Sequence, residues 1–341
     1  MAQTTTPPGV AVPPLETFLR AQCPELLTGP LHAELLSGGR SNLTYLLTDG
    51  HRRWVLRRPP LGHVLATAHD MDREYRVLGA LHPTDVPVPR PIVRGGPDVI
   101  GAAFYVMDFA DGVVLRDRAQ LESADATALA EQLVDVLARL HRLDPAAVGL
   151  ADLGRPAGYL ERQVRRWGKQ LAASRSRDVP GLDELGQRLG QRLPAHQRAA
   201  LVHGDYRLDN VVVGVDGTIT AVLDWEMATL GDPLTDLASL LVWWDGMSGL
   251  DSPVAAVPGD VPGFPPGSTL AGHYARVTGH DLADFAWYLG FAHYKIAVIF
   301  EGIHYRSRQG LTVGDGFDRL GALVPDLVAR GHTALDTPIT R

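Results

Sequence analysis

The period of the apolar positions changes along the chain. After a short amphipathic stretch over 15–28, LTYLLT (43–48) and RWVLRR (53–58) alternate in twos around Asp49-Gly50. Period two predicts half-buried strands, and Asp-Gly between two of them predicts a hairpin. HDMDREYRVLGALH (69–82) then places Met71, Tyr75, Leu78 and Leu81 at helical spacing. VPVPRP (86–91) is extended, because each proline biases its predecessor away from helix. AAFYVMDFADG (102–112) reads as a buried strand running into a polar loop. Residues 30–110 therefore predict a small α+β lobe.

From 122 onward helical spacing dominates. Leu129, Leu133, Val136, Leu137 and Leu140 share one face, and YLERQVRRWGKQL (159–171) is a helix with a basic face. LVHGDYRLDNVVV (201–213) interrupts as strand and loop, and Asp216-Gly217 turns it into TITAVLDWE (218–226), a second hairpin over 211–223. A helix follows Pro233. Residues 246–268 hold 5 Gly and 5 Pro, a loop or lid. HDLADFAWYLGFAHYKIAVIFEGIHYR (280–306) is a long apolar helix or a pair of them. The expected class is α+β and bilobal. Residues 1–29 form an arm and short helix, 30–110 a nucleotide-binding N-lobe, and 111–335 a mostly helical C-lobe.

Composition narrows the function. The 341 residues exceed one ordinary core, and 45% apolar with 21% charged is the range of a soluble globular chain. Net charge is −7, from 32 basic and 39 acidic residues, which disfavours a nucleic-acid partner. The single cysteine, Cys23, excludes an internal disulfide and suits a cytoplasmic location. MAQTTTPPGVAVPP (1–14) lacks the features of a signal peptide and reads as a disordered arm. No apolar run is long enough to span a bilayer, so no membrane partner is expected.

The chemistry concentrates in 203–224. A tight hairpin brings its two ends together, so Asn210 and Asp224 can face each other as hard oxygen donors. They suit Mg²⁺, which takes one or two protein ligands beside waters and phosphate oxygens. Asp205, five residues before Asn210, can reach a substrate hydroxyl, the division of labour that phosphoryl transfer requires. LSGGRSNLTYLL (36–47) places Gly38, Gly39, Ser41 and Asn42 in a turn whose backbone N–H groups can approach phosphates. No Walker A sequence is present. Arg57, on a strand, precedes Glu74, on the next helix, in the manner of a kinase strand–helix ion pair.

HGDYRLDN (203–210) followed by VLDWEMATLGDPLTDLA (222–238) closely resembles the aminoglycoside phosphotransferase-like, protein-kinase-like family of small-molecule kinases. LSGGRSNLTYLL, VLRRPP, AHDMDREYRVLGAL, VPVPRP and FYVMDFADG resemble the branch that also occurs fused to acyl-CoA dehydrogenases. The resemblance covers roughly 30–310. It implies a bilobal kinase fold using ATP or GTP, with Asp205 as catalytic base and Asn210 and Asp224 on Mg²⁺. It further implies an Arg57–Glu74 pair, Met107, Asp108 and Phe109 as the hinge against adenine, and Asp236 as a brace of the catalytic loop. Related kinases carry lysine where Arg57 stands, and arginine is not a neutral exchange.

Simpler readings stand beside these. Asp205 and Asn210 also suit turn capping, His203 suits bracing better than acid–base work, and Arg57–Glu74 also suits a surface ion pair. Arg162, Arg165, Arg166 and Lys169 are a solvated face or a grip on an anionic substrate such as a coenzyme A moiety. His293, Tyr294, Glu301, His304 and Tyr305 are packed residues or acceptor-pocket lining. Asp232 and Glu226 are undecided, and zinc is disfavoured for want of a close Cys/His cluster. The leading expectation is a Mg²⁺- and ATP-dependent kinase of a hydroxyacyl-CoA or hydroxy acid. Its rivals are a nucleotide-binding pseudokinase, an aminoglycoside or amino-alcohol kinase, a metal-dependent hydrolase using His203, Asp205 and Asp224, and a scaffold.

Overall fold

A computed structural model describes residues 7–36, 42–61, 70–195, 197–310 and 317–337. The chain forms an α+β, bilobal, protein-kinase-like fold. It divides into two compact units, one of residues 1–111 with 220–226, the other of 112–219 with 227–341.

The first unit is built on an antiparallel sheet of β1 (His32–Leu35), β2 (Leu43–Thr48), β3 (Arg53–Arg58), β4 (Pro91–Gly95) and β5 (Phe104–Asp108), in the order β1-β2-β3-β5-β4. The predicted hairpin pairs Leu43 with Arg58 through Thr48 with Arg53. Asp49 accepts from the N–H groups of His51 and Arg52, which fixes the turn. Alternation along β3 decides what each face does. Trp54 and Leu56 join Tyr45, Leu47, Phe104 and Val106 in a buried cluster with Leu15 and Leu19 of helix α1 (Val12–Gln22). Arg57 points the other way, toward α2 (Met71–Leu81), which buries Glu74, Val77, Leu78 and Leu81.

Two expectations are corrected here. The first helix runs Val12–Gln22, not 15–28, because Pro24 bars Cys23 from the helical region, where its φ is −138°. The stretch before it is not all a loose arm. Val10 is buried, and Pro8 accepts a hydrogen bond from Tyr45 Oη at 2.6 Å.

The second unit is mostly helical. A short helix, α3 (Pro97–Ile100), belongs to the first unit, and the second then contributes α4 (Arg118–Glu122), α5 (Ala126–Arg142), α6 (Tyr159–Ala173), α7 (Leu182–Gln191), α8 (Leu234–Leu241), α9 (Gly267–Thr278), α10 (Phe285–Arg308) and α11 (Leu320–Asp336). The predicted apolar stripe of α5 is buried. The 280–306 stretch holds one helix rather than a pair, α10, which starts at Phe285 and packs against α6, α7, α8 and α11. Neighbours on several sides explain why it is apolar nearly all round. Short strands β6 (Ala200–Val202), β7 (Val211–Val213), β8 (Ile219–Val222) and β9 (Thr229–Gly231) hold the loops between them. β6 pairs with β9. The predicted turn after β7 is present, with Gly214 N–H donating to the Thr218 carbonyl at 2.8 Å. The chain passes from the second unit into the first within β8, where Val222 N–H donates to the Pro87 carbonyl at 2.8 Å. Residues 246–268 are mostly irregular, as expected: between a helical turn that ends at Gly246 and the start of α9 at Gly267 lies one 3₁₀ turn, Pro258–Asp260.

Candidate active site

In the second unit, the loop after β6 is pinned at each backbone N–H from His203 to Asp205. Asp236, on the first turn of α8, accepts from His203 N–H at 2.6 Å and Gly204 N–H at 2.8 Å. Asp205 N–H donates to His203 Nδ1 at 3.2 Å. Gly204 sits at φ +87°, and a Cβ there would lie 2.6 Å from the Met227 carbonyl oxygen, so only glycine fits this corner. His203 is fully buried against Tyr206, whose hydroxyl donates to the Leu133 carbonyl of α5 at 2.8 Å.

The Asp205 carboxylate keeps 29% exposure. Asn210, on the 3₁₀ turn Leu208–Asn210, donates through Nδ2 to the Asp205 carbonyl at 2.9 Å and to its Oδ2 at 3.1 Å. Both donations use the nitrogen, and among the described residues no donor reaches Asn210 Oδ1. Arg207 Nε lies 3.3 Å from Asp205 and 3.2 Å from Asp209, and its guanidinium stacks 4.4 Å over Trp243. Burial opposes the charge of both carboxylates. At Asp205 it is outweighed by Arg207, Lys295, His203 and the Asn210 hydrogen bond, so the pKa lies below the usual range. At Asp209 burial prevails and the pKa is raised. Two carboxylates on one guanidinium are thereby pushed apart, and Asp205 is the one held ionised.

In the first unit, Arg57 Nη1 lies 2.9 Å from Glu74 Oε1 and its Nη2 2.9 Å from Asp224 Oδ1. Arg57 and Glu74 are buried, at 7% and 1% exposure, which corrects the surface-pair reading. Burial works against the Arg57 cation, but Glu74, Tyr105 and Asp224 together hold its pKa well above the usual value. Burial pushes Glu74 above the usual range against the pull of Arg57. Arg58, on the opposite face, donates to the Gly9 carbonyl. Asp224 has φ +66°, the one described non-glycine residue at positive φ, and its carboxylate is 28% exposed. A left-handed aspartate is a costly conformation that persists where its surroundings demand it.

The remaining expected positions fall as follows. Asn42 is buried and donates to Glu226 at 3.1 Å. Gly38, Gly39 and Ser41 lie outside the described residues. Met107 and Asp108 end β5. Asp108 N–H is taken by the Arg90 carbonyl at 2.9 Å, its carboxylate pairs with Arg90, and Phe109 lies 4.2 Å beneath the Arg53 guanidinium. Asp232 is buried and accepts from Arg198 N–H, Leu234 N–H and Tyr288 Oη. On α6, Arg165 pairs with Glu161 in solvent and Arg162 donates to the carbonyls of Arg155 and Ala157. On α10, His293 and Tyr294 are buried and Glu301 pairs with Arg177 at 2.8 Å. Among the described residues no group of three His, Cys, Asp or Glu side chains is arranged to hold a metal. Nor is any described helix long and apolar enough to cross a membrane.

The model of a phosphotransferase enzyme family, the aminoglycoside phosphotransferase type, matches residues 32–259, about two thirds of the chain. The chain belongs to this family. That family is one of phosphotransferases of the small-molecule kinase type. Among its relatives, mouse acyl-CoA dehydrogenase family member 10 is 34% identical over 87% of this chain and 28% of that protein. Human acyl-CoA dehydrogenase family member 11 is 36% identical over 80% of this chain and 36% of that protein. The chain thus spans about a third of the length of these curated relatives. The crystal structure of a candidate aminoglycoside phosphotransferase from Ralstonia eutropha JMP134 is 33% identical, covers 96% of this chain and 98% of that one, and superposes with a TM-score of 0.81. Choline kinase from Streptococcus pneumoniae shares the fold, with a TM-score of 0.58 at 16% identity over 94% of this phosphotransferase and 99% of that chain.

Sequence reasoning missed two groups in this phosphotransferase. His141, within the α5 stripe, lies 3.2 Å from Asp236 through Nε2 and 2.7 Å from Tyr274 Oη through Nδ1. A histidine among apolar helix positions was the only hint of it. Lys295 on α10 donates to the Gly204 carbonyl. A lone lysine in a long apolar helix was the signal, and no local spacing could say what it meets 91 residues away.

Proposed function

We propose that this phosphotransferase moves the terminal phosphoryl group of ATP, or of GTP, to a hydroxyl of a small molecule, with a hydroxyacyl-CoA or hydroxy acid as the leading acceptor. The observation that carries the reading is the Asp205 carboxylate, partly exposed, held ionised and oriented by Asn210 and Arg207. In this scheme the acceptor oxygen attacks the γ-phosphorus and the β–γ bridging bond breaks. The hydroxyl proton passes to Asp205, and ADP leaves.

Asn210 and Asp224 serve as the Mg²⁺ ligands. The donor set fits: Asn210 commits its nitrogen to Asp205 and keeps its carboxamide oxygen, and Asp224 presents a partly exposed carboxylate. Mg²⁺ would shield the charge of the phosphates. Residues 30–110 serve the nucleotide and 111–335 the chemistry and acceptor. Gly38, Gly39, Ser41 and Asn42 cradle phosphates, Arg57 oriented by Glu74 reaches them, and Met107, Asp108 and Phe109 border the adenine. His203 and Asp236 support the loop. The acyl-CoA dehydrogenase relatives favour an acyl-CoA acceptor over an amino sugar. The enzyme works in the cytoplasm with nucleotide and acceptor as its partners.

The test is a mass-spectrometric screen of ATP and Mg²⁺ with hydroxyacyl-CoAs, hydroxy acids, amino sugars and choline-like alcohols, beside Asp205→Asn. A phosphorylated product made by the wild type alone supports the reading and names the acceptor class. Transfer by Asp205→Asn at the wild-type rate would refute the site. Arg57 held between Glu74 and Asp224 favours a second reading, a nucleotide-binding pseudokinase, which predicts ATP binding without transfer to any acceptor.

A further inference from the structure

The peptide joining Gly204 to Asp205 is held at both ends. Its N–H donates to His203 Nδ1 at 3.2 Å, and its carbonyl accepts from the Lys295 ammonium. The two preceding N–H groups face the Asp236 carboxylate at 2.6 and 2.8 Å. The loop thus presents the His203 and Gly204 N–H groups to an anion and the Gly204 carbonyl to a cation, charges that favour those orientations. The rotation that carries the Asp205 side chain starts from this peptide. With its plane fixed, the starting point of that rotation is fixed, and Asn210 and Arg207 hold the carboxylate at its other end.

Lys295 is placed from two sides. Its ammonium reaches the Gly204 carbonyl and lies 5.7 Å from the centre of the Trp167 ring on α6, within cation–π range. The charged groups around it are Asp205 and Asp236, which favour the cation, and Arg166 and Arg207, which oppose it. Its cost is burial, which lowers the pKa of the ammonium. A neutral donor could satisfy the same carbonyl without that cost. The retention of a half-buried charge here needs a reason, and the neighbouring Asp205 carboxylate supplies one.

We infer that Lys295 is the positioning residue of the catalytic loop, tying α10 to the Gly204–Asp205 peptide so that the Asp205 carboxylate is presented in one orientation to the acceptor hydroxyl. This rests on the reading of Asp205 as the catalytic base, and the experiment separates the two. Turnover of Mg-ATP would be measured for wild type, Lys295→Met, Lys295→Arg and Asp205→Asn. The phosphate is transferred to the acceptor found by the screen or, failing one, to water. Asp205→Asn as active as wild type would refute the Asp205 assignment whatever Lys295 does. With Asp205→Asn inactive, Lys295→Met is expected to lose about 10²-fold in kcat. Its KM for Mg-ATP should stay unchanged, and Lys295→Arg should recover most of the loss. A kcat for Lys295→Met within about threefold of wild type would overturn the proposal. So would a Lys295→Arg as impaired as Lys295→Met, since a cation at this point would then not be what matters. Hydrogen exchange at the Asp205 amide gives a readout that needs no turnover and is open to Lys295→Arg and Lys295→Gln if Lys295→Met does not fold. Faster exchange in the neutral variant than in Lys295→Arg supports the tie, and equal exchange overturns it.

Discussion

Replacing Asp236 by alanine tests the support of the catalytic loop directly. Asp236 is 1% exposed and accepts from two backbone N–H groups, with His141 Nε2 at 3.2 Å beside them. Each buried donor left without an acceptor costs about 1–3 kcal/mol. Two amides and one imidazole give a raw sum of about 3–9 kcal/mol. Water admitted to the space left by the carboxylate offsets the upper part of that range, so the expected loss is about 3–5 kcal/mol. Domain stabilities are about 5–15 kcal/mol, so a loss of this size is large. Urea unfolding followed by tryptophan fluorescence reads it. Because the chain has two compact units, the loss should fall on the transition that exposes Trp167, Trp244 and Trp287, leaving that of Trp54 in place. The pH dependence follows with a definite sign. Burial opposes the Asp236 charge, but hydrogen bonding and charge from His141, with His203 and the Gly204 amide, keep its pKa below the usual carboxylate value. Its contribution is therefore complete above the unfolded carboxylate pKa of about 3.9 and is lost as pH falls through the lower folded value. The alanine variant should lose that acid-limb slope. A loss under about 1 kcal/mol at neutral pH would refute the reasoning, because the three donors would then have found other partners.

Further predictions follow from other buried groups. Arg57→Met should destabilise the first unit by about 3–5 kcal/mol by stranding the buried Glu74 carboxylate, and equal stability in a urea titration would argue against the pair. Arg57→Lys keeps the charge but loses the fork that spans Glu74 and Asp224, so Mg-nucleotide affinity measured by calorimetry should change more than stability does. Gly204→Ala should lose activity and stability, since a left-handed φ of +87° and a Cβ 2.6 Å from the Met227 oxygen cannot both be met; a thermal midpoint equal to wild type would contradict this. His293 is buried, with no partner for Nδ1 among the described residues, and burial lowers its pKa to about 4. Protonation then favours the unfolded chain, so up to roughly 3 kcal/mol of stability is present above pH 6.5 and lost between about 6.5 and 4; His293→Leu should flatten that part of the melting curve against pH.

The sequence by itself determined the local elements and the residue types of the site. Alternation in LTYLLT and RWVLRR, with Asp49-Gly50 between them, was enough for a hairpin, because strand period and turn chemistry are local properties. The α5 stripe was legible for the same reason. HGDYRLDN and the downstream LDWE marked a phosphotransferase through their resemblance to that family, and their hard oxygen donors suit Mg²⁺ and phosphate. The tertiary structure decided which of the other charges matter. Strand parity left Arg57 and Arg58 as opposite faces, and only the packing of α2 showed that Glu74 sits at 1% exposure against the former while Gly9 takes the latter. The basic face of α6 read by spacing as a solvated face or an anion grip, and Arg162 and Arg165 are satisfied on their own helix and the turn before it. His141 and Lys295 stood out only as polar residues in apolar helices, and nothing local named their partners, Asp236 and Gly204, which lie 95 and 91 residues away. Burial and long-range pairing are properties of the folded chain, and no local window of sequence contains them.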